Sequence, residues 1–202
     1  MTDRVEIRHS LLKNGLFSAT GVNELIIDGN TIRGNLAISP RRATISNNTF
    51  DTSYGDRFGA FRSYVDSWPL STVDFVNNTI IGGGHLDYVV NLGQTRQLKV
   101  SGVGTSNSIL LDPTTYNRDE VIRQVAPGTL LQLEGTRSVS TVNAVEWTGS
   151  KWRLRGTWTH AVSVGQVWTF RNLQHVHQTG TVFSGPRIPL FSEDSIPGQI
   201  VP

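Results

Sequence analysis

The sequence predicts an all-β protein: a few coils of right-handed parallel β-helix followed by a small antiparallel β-barrel or sandwich. Three observations point there. A short motif recurs in the first half of the chain, the composition is low in charge and rich in turn residues, and tryptophans crowd into short strand-like segments in the second half. Of 202 residues, 37% are hydrophobic and 17% charged, and 20 are glycine. That balance suits many short strands joined by bends.

The motif reads apolar-x-apolar-x-x-Asn-Thr-apolar. It occurs as Leu25-Ile26-Ile27-Asp28-Gly29-Asn30-Thr31-Ile32, as Ala43-Thr44-Ile45-Ser46-Asn47-Asn48-Thr49-Phe50 and as Val73-Asp74-Phe75-Val76-Asn77-Asn78-Thr79-Ile80. Alternation at period two buries the first two apolar residues on one strand face. The Asn sits at a sharp bend, because it tolerates the left-handed conformation and bonds to nearby backbone. Ile45 follows Ile27 by 18 residues, and Asn35-Leu36-Ala37-Ile38-Ser39 between them supplies a third short strand. Such a unit buries a core only by stacking on copies of itself. Residues 5–12 read as an earlier, weaker coil, with Val5 and Ile7 inward. An offset of 25 residues carries Val73-Asp74-Phe75 onto Leu98-Lys99-Val100, and Phe61 and Val65 onto Leu86 and Val90. This register predicts one interior column of Ile27, Ile45, Phe75 and Val100.

Composition shifts near Leu111-Asp112-Pro113, where Asp-Pro marks a turn. The expected division is coils over 1–112, a linker over 113–127, a small β domain over 128–177 and an extended tail over 178–202. Residues 117–125 read as a short helix or a linker. Thr148-Gly149-Ser150-Lys151 reads as the turn of a hairpin joining Trp147 to Trp152. Trp147, Trp152, Trp158 and Trp168 read first as core filling for a small domain, and alternatively as a platform for sugar rings.

Several functions are excluded or disfavoured. A formal charge of +2 does not argue for nucleic acid. Without cysteine there are no disulfides or thiolate metal sites. No apolar run of about 18 residues spans a membrane, and the first residues carry no apolar secretion segment. His175-x-His177 has no evident third ligand, so no metal is expected, and no cofactor either.

The segments Asn30-Thr31-Ile32, Asn48-Thr49-Phe50 and Asn78-Thr79-Ile80 resemble coils of the pectate-lyase-like right-handed β-helix superfamily. They look most like the C-terminal coils of bacteriophage tailspikes, over about residues 5 to 110. The resemblance implies that Asn30, Asn48 and Asn78 form a stacked structural ladder. It implies the C-terminal portion of a trimeric tailspike or adhesin, on a virion or outside the cell, that binds a bacterial surface polysaccharide. It also brings an alternative, a glycan-degrading hydrolase or lyase. Asp56, Asp66 and Asp87 are the candidate catalytic carboxylates, since glycoside hydrolysis needs two facing the substrate. Tyr54, Arg57, Arg62, Tyr64, Trp68, His85 and Asn91 are the candidate glycan contacts on the same outer face. The register sets Arg62 beside Asp87 and Asp66 beside Asn91. The first coil leaves a rung of strand edge uncovered, which natural proteins avoid, so the chain is expected either to be a fragment of a longer protein or to dock onto another chain; the resemblance implies a homotrimer.

Overall fold

The computed structural model describes residues 2–13, 16–20, 22–54, 61–63, 71–82, 88–91, 95–113, 122, 125–171, 173–185, 189 and 200–201. The protein is all-β, with three parallel sheets and one antiparallel sheet.

The chain visits the three parallel sheets in turn and then returns to the first. The first pass is β1 (Thr2–Arg8), β2 (Leu11–Leu12) and β3 (Leu16–Thr20). The second is β4 (Val22–Asp28), β5 (Thr31–Arg33) and β6 (Asn35–Ser39), and the third is β7 (Arg42–Ser46), β8 (Thr49–Asp51) and β9 (Phe61–Ser63). The fourth is β10 (Ser71–Val76), β11 (Thr79–Ile81) and β12 (Val90–Asn91). Seven antiparallel strands follow: β13 (Thr95–Lys99), β14 (Gly102–Val103), β15 (Ile109–Leu111), β16 (Leu130–Leu133), β17 (Val139–Trp147), β18 (Trp152–Thr157) and β19 (Val167–Arg171). The chain then rejoins the parallel sheets with β20 (Leu173–Thr179), β21 (Val182–Ser184) and β22 (Ile200–Val201). The first parallel sheet runs β1-β4-β7-β10-β20-β22, the second β2-β5-β8-β11-β21 and the third β12-β9-β6-β3.

Period-two alternation sets the faces. From Leu25 to the end of β4 and throughout β7 every second residue is buried, as expected of strands with one face on a core. Register then builds columns. Val5, Leu25, Ala43, Val73 and Val176 are successive partners, and so are Ile7, Ile27, Ile45 and Phe75. In the second sheet Leu12, Ile32, Phe50, Ile80 and Phe183 align. Leu25, Ile27, Ile45, Phe50 and Phe75 are fully buried in one cluster.

Val100 does not join the column of Ile27, Ile45 and Phe75. Leu98 pairs antiparallel with Trp168, and the strand beside β10 is β20, with Phe75 opposite Gln178. An apolar-x-apolar triplet suits either kind of strand, and Val100 is followed by Ser101-Gly102-Val103 with no Asn-Thr bend. Residues 95–111 therefore lie in the antiparallel sheet, where coils were expected to 112. Residues 173–184 lie in the parallel sheets, partly where a tail was expected. Ile122 and Val125, expected in a linker, are buried in the second core; residues 117–121, 123 and 124 lie outside the described ones.

The antiparallel sheet runs β13-β19-β16-β17-β18-β15-β14. Its two outermost strands are consecutive in the chain. Between them, the Val100 amide donates to Gln166 O (2.9 Å) and the Ser101 amide to Leu110 O (2.9 Å). Leu98, Ile109, Leu131, Val142, Leu154, Trp168 and Phe170 fill its interior.

The bend between the first and second parallel sheets repeats at five levels. The residue at positive φ is His9, Gly29, Asn47, Asn77 or Gly180. It is thus the residue before the repeated Asn that turns the chain. At Gly180 a Cβ would meet the Asn77 side-chain oxygen, which would have to move aside. The Asn that follows points inward: Asn30, Asn48 and Asn78 are buried. The Asn48 carboxamide oxygen accepts from the Asn30 backbone amide and side-chain amide, both at 3.0 Å. The Asn78 oxygen accepts likewise from Asn48 at 3.0 and 3.1 Å. Each side-chain amide also donates to a strand carbonyl one pass back: Asn30 to Ile7, Asn48 to Ile27 and Asn78 to Ile45 (2.8–2.9 Å). At the two ends Ser10 and Thr181 stand in place of the Asn. The Ser10 amide donates to Asn30 Oδ1, and the Gln178 side-chain amide donates to Thr181 Oγ1.

Outside the same bend, Asp28 ties three passes together. Ser46 Oγ and Asn47 Nδ2 donate to its Oδ1 at 2.7 and 2.8 Å, and the Arg8 guanidinium to its Oδ2 at 2.7 Å. The Ser46 hydroxyl and the Asn47 amide, with Arg8 and His9 adding smaller attractions, hold the Asp28 carboxyl below the usual carboxylate range.

Two predictions follow from the bend. Asn48→Ala removes the acceptor of the buried Asn30 backbone amide, one of the two bonds of the Asn30 side-chain amide and the side-chain donor to the Ile27 carbonyl, and should cost about 3 kcal/mol. Asn47→Gly, at the exposed left-handed position beside it, should change stability by no more than about 1 kcal/mol; denaturant midpoints of the two variants compare them. The Asp28 carboxyl is depressed in the folded state, so its stabilisation is complete well above the unfolded value of about 3.9. It is lost as pH falls from there through the lower folded value. Asp28→Asn should therefore flatten the fall in stability below about pH 4, measured as melting temperature against pH.

Candidate functional site

The sequence places its candidate groove on the long excursion after Phe50 and on the strands that follow. Asp56, Arg57, Tyr64, Asp66, Trp68, His85 and Asp87 lie outside the described residues. Arg62 and Asn91 are described in backbone only, and their strands give a correction. Asn91 is the partner of Arg62 and Val90 the partner of Phe61. The offset between these strands is thus 29 residues, not 25. The expected neighbours Arg62–Asp87 and Asp66–Asn91 are not register partners. The bend between passes varies in length, and periodicity inside a strand does not reveal that length.

Tyr54 is described, and it heads a compact cluster. Arg33, Asp51 and Ile81 each follow the apolar residue of the motif, and register sets them side by side across β5, β8 and β11. Each faces outward because the residue before it faces the core. A single 3-10 turn, Thr52–Tyr54, follows β8. Thr52 is buried, and its hydroxyl donates to Ile81 O at 2.8 Å, pinning the turn to the next pass. The turn leaves Tyr54 60% exposed. The Arg33 guanidinium carbon lies 5.3 Å from the Tyr54 ring centroid, and Arg33 Nε lies 3.7 Å from Asp51 Oδ2. At this exposure the cation–π contact contributes about 0.5–1 kcal/mol and the ion pair about as little. The cluster therefore holds its geometry through the anchored turn and the register more than through its charges. It offers an aromatic face, guanidinium donors and a carboxylate within one short row. Sequence reasoning named Tyr54, counted Asp51 among the carboxylates of the excursion after Phe50 without pairing it, and missed Arg33 as its neighbour. Their signal was the shared position after Ile32 and Phe50.

The outer face of the first parallel sheet carries a second group of charges. Arg42 Nη2 lies 3.6 Å from Asp74 Oδ2, and His177 Nδ1 lies 3.5 Å from Asp74 Oδ1. Arg4 and Arg8 bridge Glu6, Glu24 and Asp28. The Arg8 hydrogen bond holds the Glu6 carboxyl low, and Glu6 in turn raises Arg8. These charges are spent largely on one another. Among the described residues no group of three His, Cys, Asp or Glu is placed to hold a metal.

The tryptophans divide. Trp168 is fully buried and Trp158 packs against the same core, their rings 5.6 Å apart. Trp147 and Trp152 are cross-strand partners next to the hairpin turn, with ring centroids 5.2 Å apart and planes at 58°. Trp152 packs on the core, while Trp147 is 49% exposed.

No helix among the described residues is long and apolar enough to cross a membrane. Comparison with protein-family models, with curated proteins and with solved structures finds no match to this chain.

Proposed function

We propose that the five passes are coils of a right-handed parallel β-helix, and that the chain serves as the C-terminal, polysaccharide-binding part of a trimeric tailspike-like or adhesin protein on a virion or cell exterior. The columns of partnered apolar residues and the amide ladder support the β-helix reading. In each of the first four passes one strand goes to every parallel sheet, the arrangement that stacked repeats require. The contiguity of β13 and β14, which sit at opposite ends of one sheet, supports a small barrel over a sandwich. The functional reading rests on one observation: Tyr54, Arg33 and Asp51 stand together on the outside of a rigid stack. A pyranose has an apolar C–H face and a rim of hydroxyls. An exposed phenol beside a guanidinium and a carboxylate matches both, and aromatic and arginine side chains concentrate binding energy at such surfaces. Three chains side by side, as in the tailspikes that the coils resemble, would repeat that row around the assembly.

The test uses the full chain against purified bacterial capsular and O-antigen polysaccharides, read by biolayer interferometry. Tyr54→Ala should weaken binding at least ten-fold, equivalent to about 1.4 kcal/mol, and Arg33→Ala should do so to a smaller extent. Light scattering should give the mass of three chains. Binding unchanged in Tyr54→Ala, or a wild type that binds no polysaccharide, would sink the glycan reading; a mass of one chain would sink the trimer.

A further inference from the structure

We propose that the last corner of the amide ladder is a binding site for one buried water molecule, which does there what a carboxamide does at the corners before it. The proposal goes beyond the glycan reading and does not depend on it.

The ladder repeats one set of bonds. The backbone amide and the side-chain amide of each Asn donate to the carboxamide oxygen one level on: Asn30 to Asn48, and Asn48 to Asn78. The next level is formed by β20 and β21. Thr179 is the partner of Val76 and Val182 the partner of Thr79, which sets Gly180 and Thr181 against Asn77 and Asn78. Thr181 has no carboxamide, and its hydroxyl accepts from the Gln178 side-chain amide at 3.0 Å.

This leaves Asn78 with donors to place. One hydrogen of its side-chain amide goes to Ile45 O at 2.8 Å. Among the described residues neither the other hydrogen nor the Asn78 backbone amide meets an acceptor. The same two donors of Asn30 and Asn48 run to the following corner, so those of Asn78 are directed at Thr181. Asn78 is fully buried. A buried backbone amide without a partner is rare, and such a group calls for a bound acceptor.

Chemistry selects the ligand. A threonine side chain stops one bond short of where an asparagine sets its oxygen, so a molecule of one heavy atom makes up the difference. A buried water needs two to four polar partners and makes about three hydrogen bonds. Here it accepts from the backbone and side-chain amides of Asn78. Its own hydrogens serve the Thr181 hydroxyl oxygen and the Phe75 carbonyl. Phe75 follows Ile7, Ile27 and Ile45 in register, and each of those three carbonyls accepts from a carboxamide of the ladder. A carbonyl oxygen has two lone pairs, so it takes this bond beside any other. An anion would satisfy the same two amides, but a buried charge is costly without a counter-charge. The corner residues Asn77, Asn78, Gly180 and Thr181 carry none. The last level is thus joined to the stack through an exchangeable molecule, where the levels before it are joined through side chains.

The test is a high-resolution crystal structure of the full chain, with Thr181→Asn and Thr181→Val beside the wild type. In the wild type one water should lie within hydrogen-bond distance of both nitrogens of Asn78. In Thr181→Asn the introduced carboxamide oxygen should displace it. Completing the ladder should raise the folded-to-unfolded ratio about five- to thirty-fold, read from denaturant curves, and slow hydrogen exchange at the Asn78 amide. Thr181→Val keeps the shape without the hydroxyl, and the water should stay, held by Asn78. The proposal is overturned if no ordered water lies there, or if the Thr181 hydroxyl itself turns to accept from Asn78. A bromide soak that places an anion at that point overturns it too, as does a folded Thr181→Asn that keeps the water and gains no stability. If Thr181→Asn does not fold, the wild-type water and the bromide soak decide.

Discussion

A chain that turns sharply while its side chains stay indoors must find partners for the backbone groups at the corner. Those groups are buried, and each unpartnered one costs about 1–3 kcal/mol. The column of Asn30, Asn48 and Asn78 solves this with a single side-chain type. Each carboxamide accepts from the level on one side and donates to a strand carbonyl on the same side, and the nitrogens of Asn30 and Asn48 donate onward. Because every level both gives and receives, the corners lock into one register. A slip of one residue would turn each inward column outward. The alignment of Ile27, Ile45 and Phe75, and with it the row of Arg33, Asp51 and Tyr54, depends on that lock.

The charged outer face contributes in another way. Its ion pairs are mostly exposed and individually weak, and several of them run across strands. Arg8 reaches Asp28, and Arg42 and His177 reach Asp74. They favour the same lateral alignment as the ladder while keeping a broad sheet face well solvated.

Much of this was legible in the residues. Asn-Thr-apolar, repeated with alternating strands before it, marked three of the five corners and the inward columns that follow from them. The first level was visible only faintly, since Ser10 stands where Asn is expected. The last was missed because Gly180 and Thr181 stand where the motif carries Asn. Gly180 supplies the left-handed turn and Thr181 a hydroxyl. The placement of Leu98-Lys99-Val100 failed because alternation reports a buried face and not the direction of a neighbouring strand. In the candidate site, Tyr54 was legible as an exposed aromatic. Arg33 and Asp51 became partners only once the register between β5 and β8 was known. The four tryptophans looked alike in sequence, and only the fold separated the three that pack on a core from the one that meets solvent.

The place of the antiparallel sheet carries a consequence for how the protein comes into being. Its seven strands are spliced between β12 and β20, while β10 and β20 are direct neighbours. The last level of the stack thus joins segments about a hundred positions apart, and long-range closures of this kind are slow. If the intervening strands collapse first, they draw the ends of that gap together and shorten the search. The inserted unit would then act as a timer during synthesis, holding back completion of the stack until its own hydrophobic interior has formed.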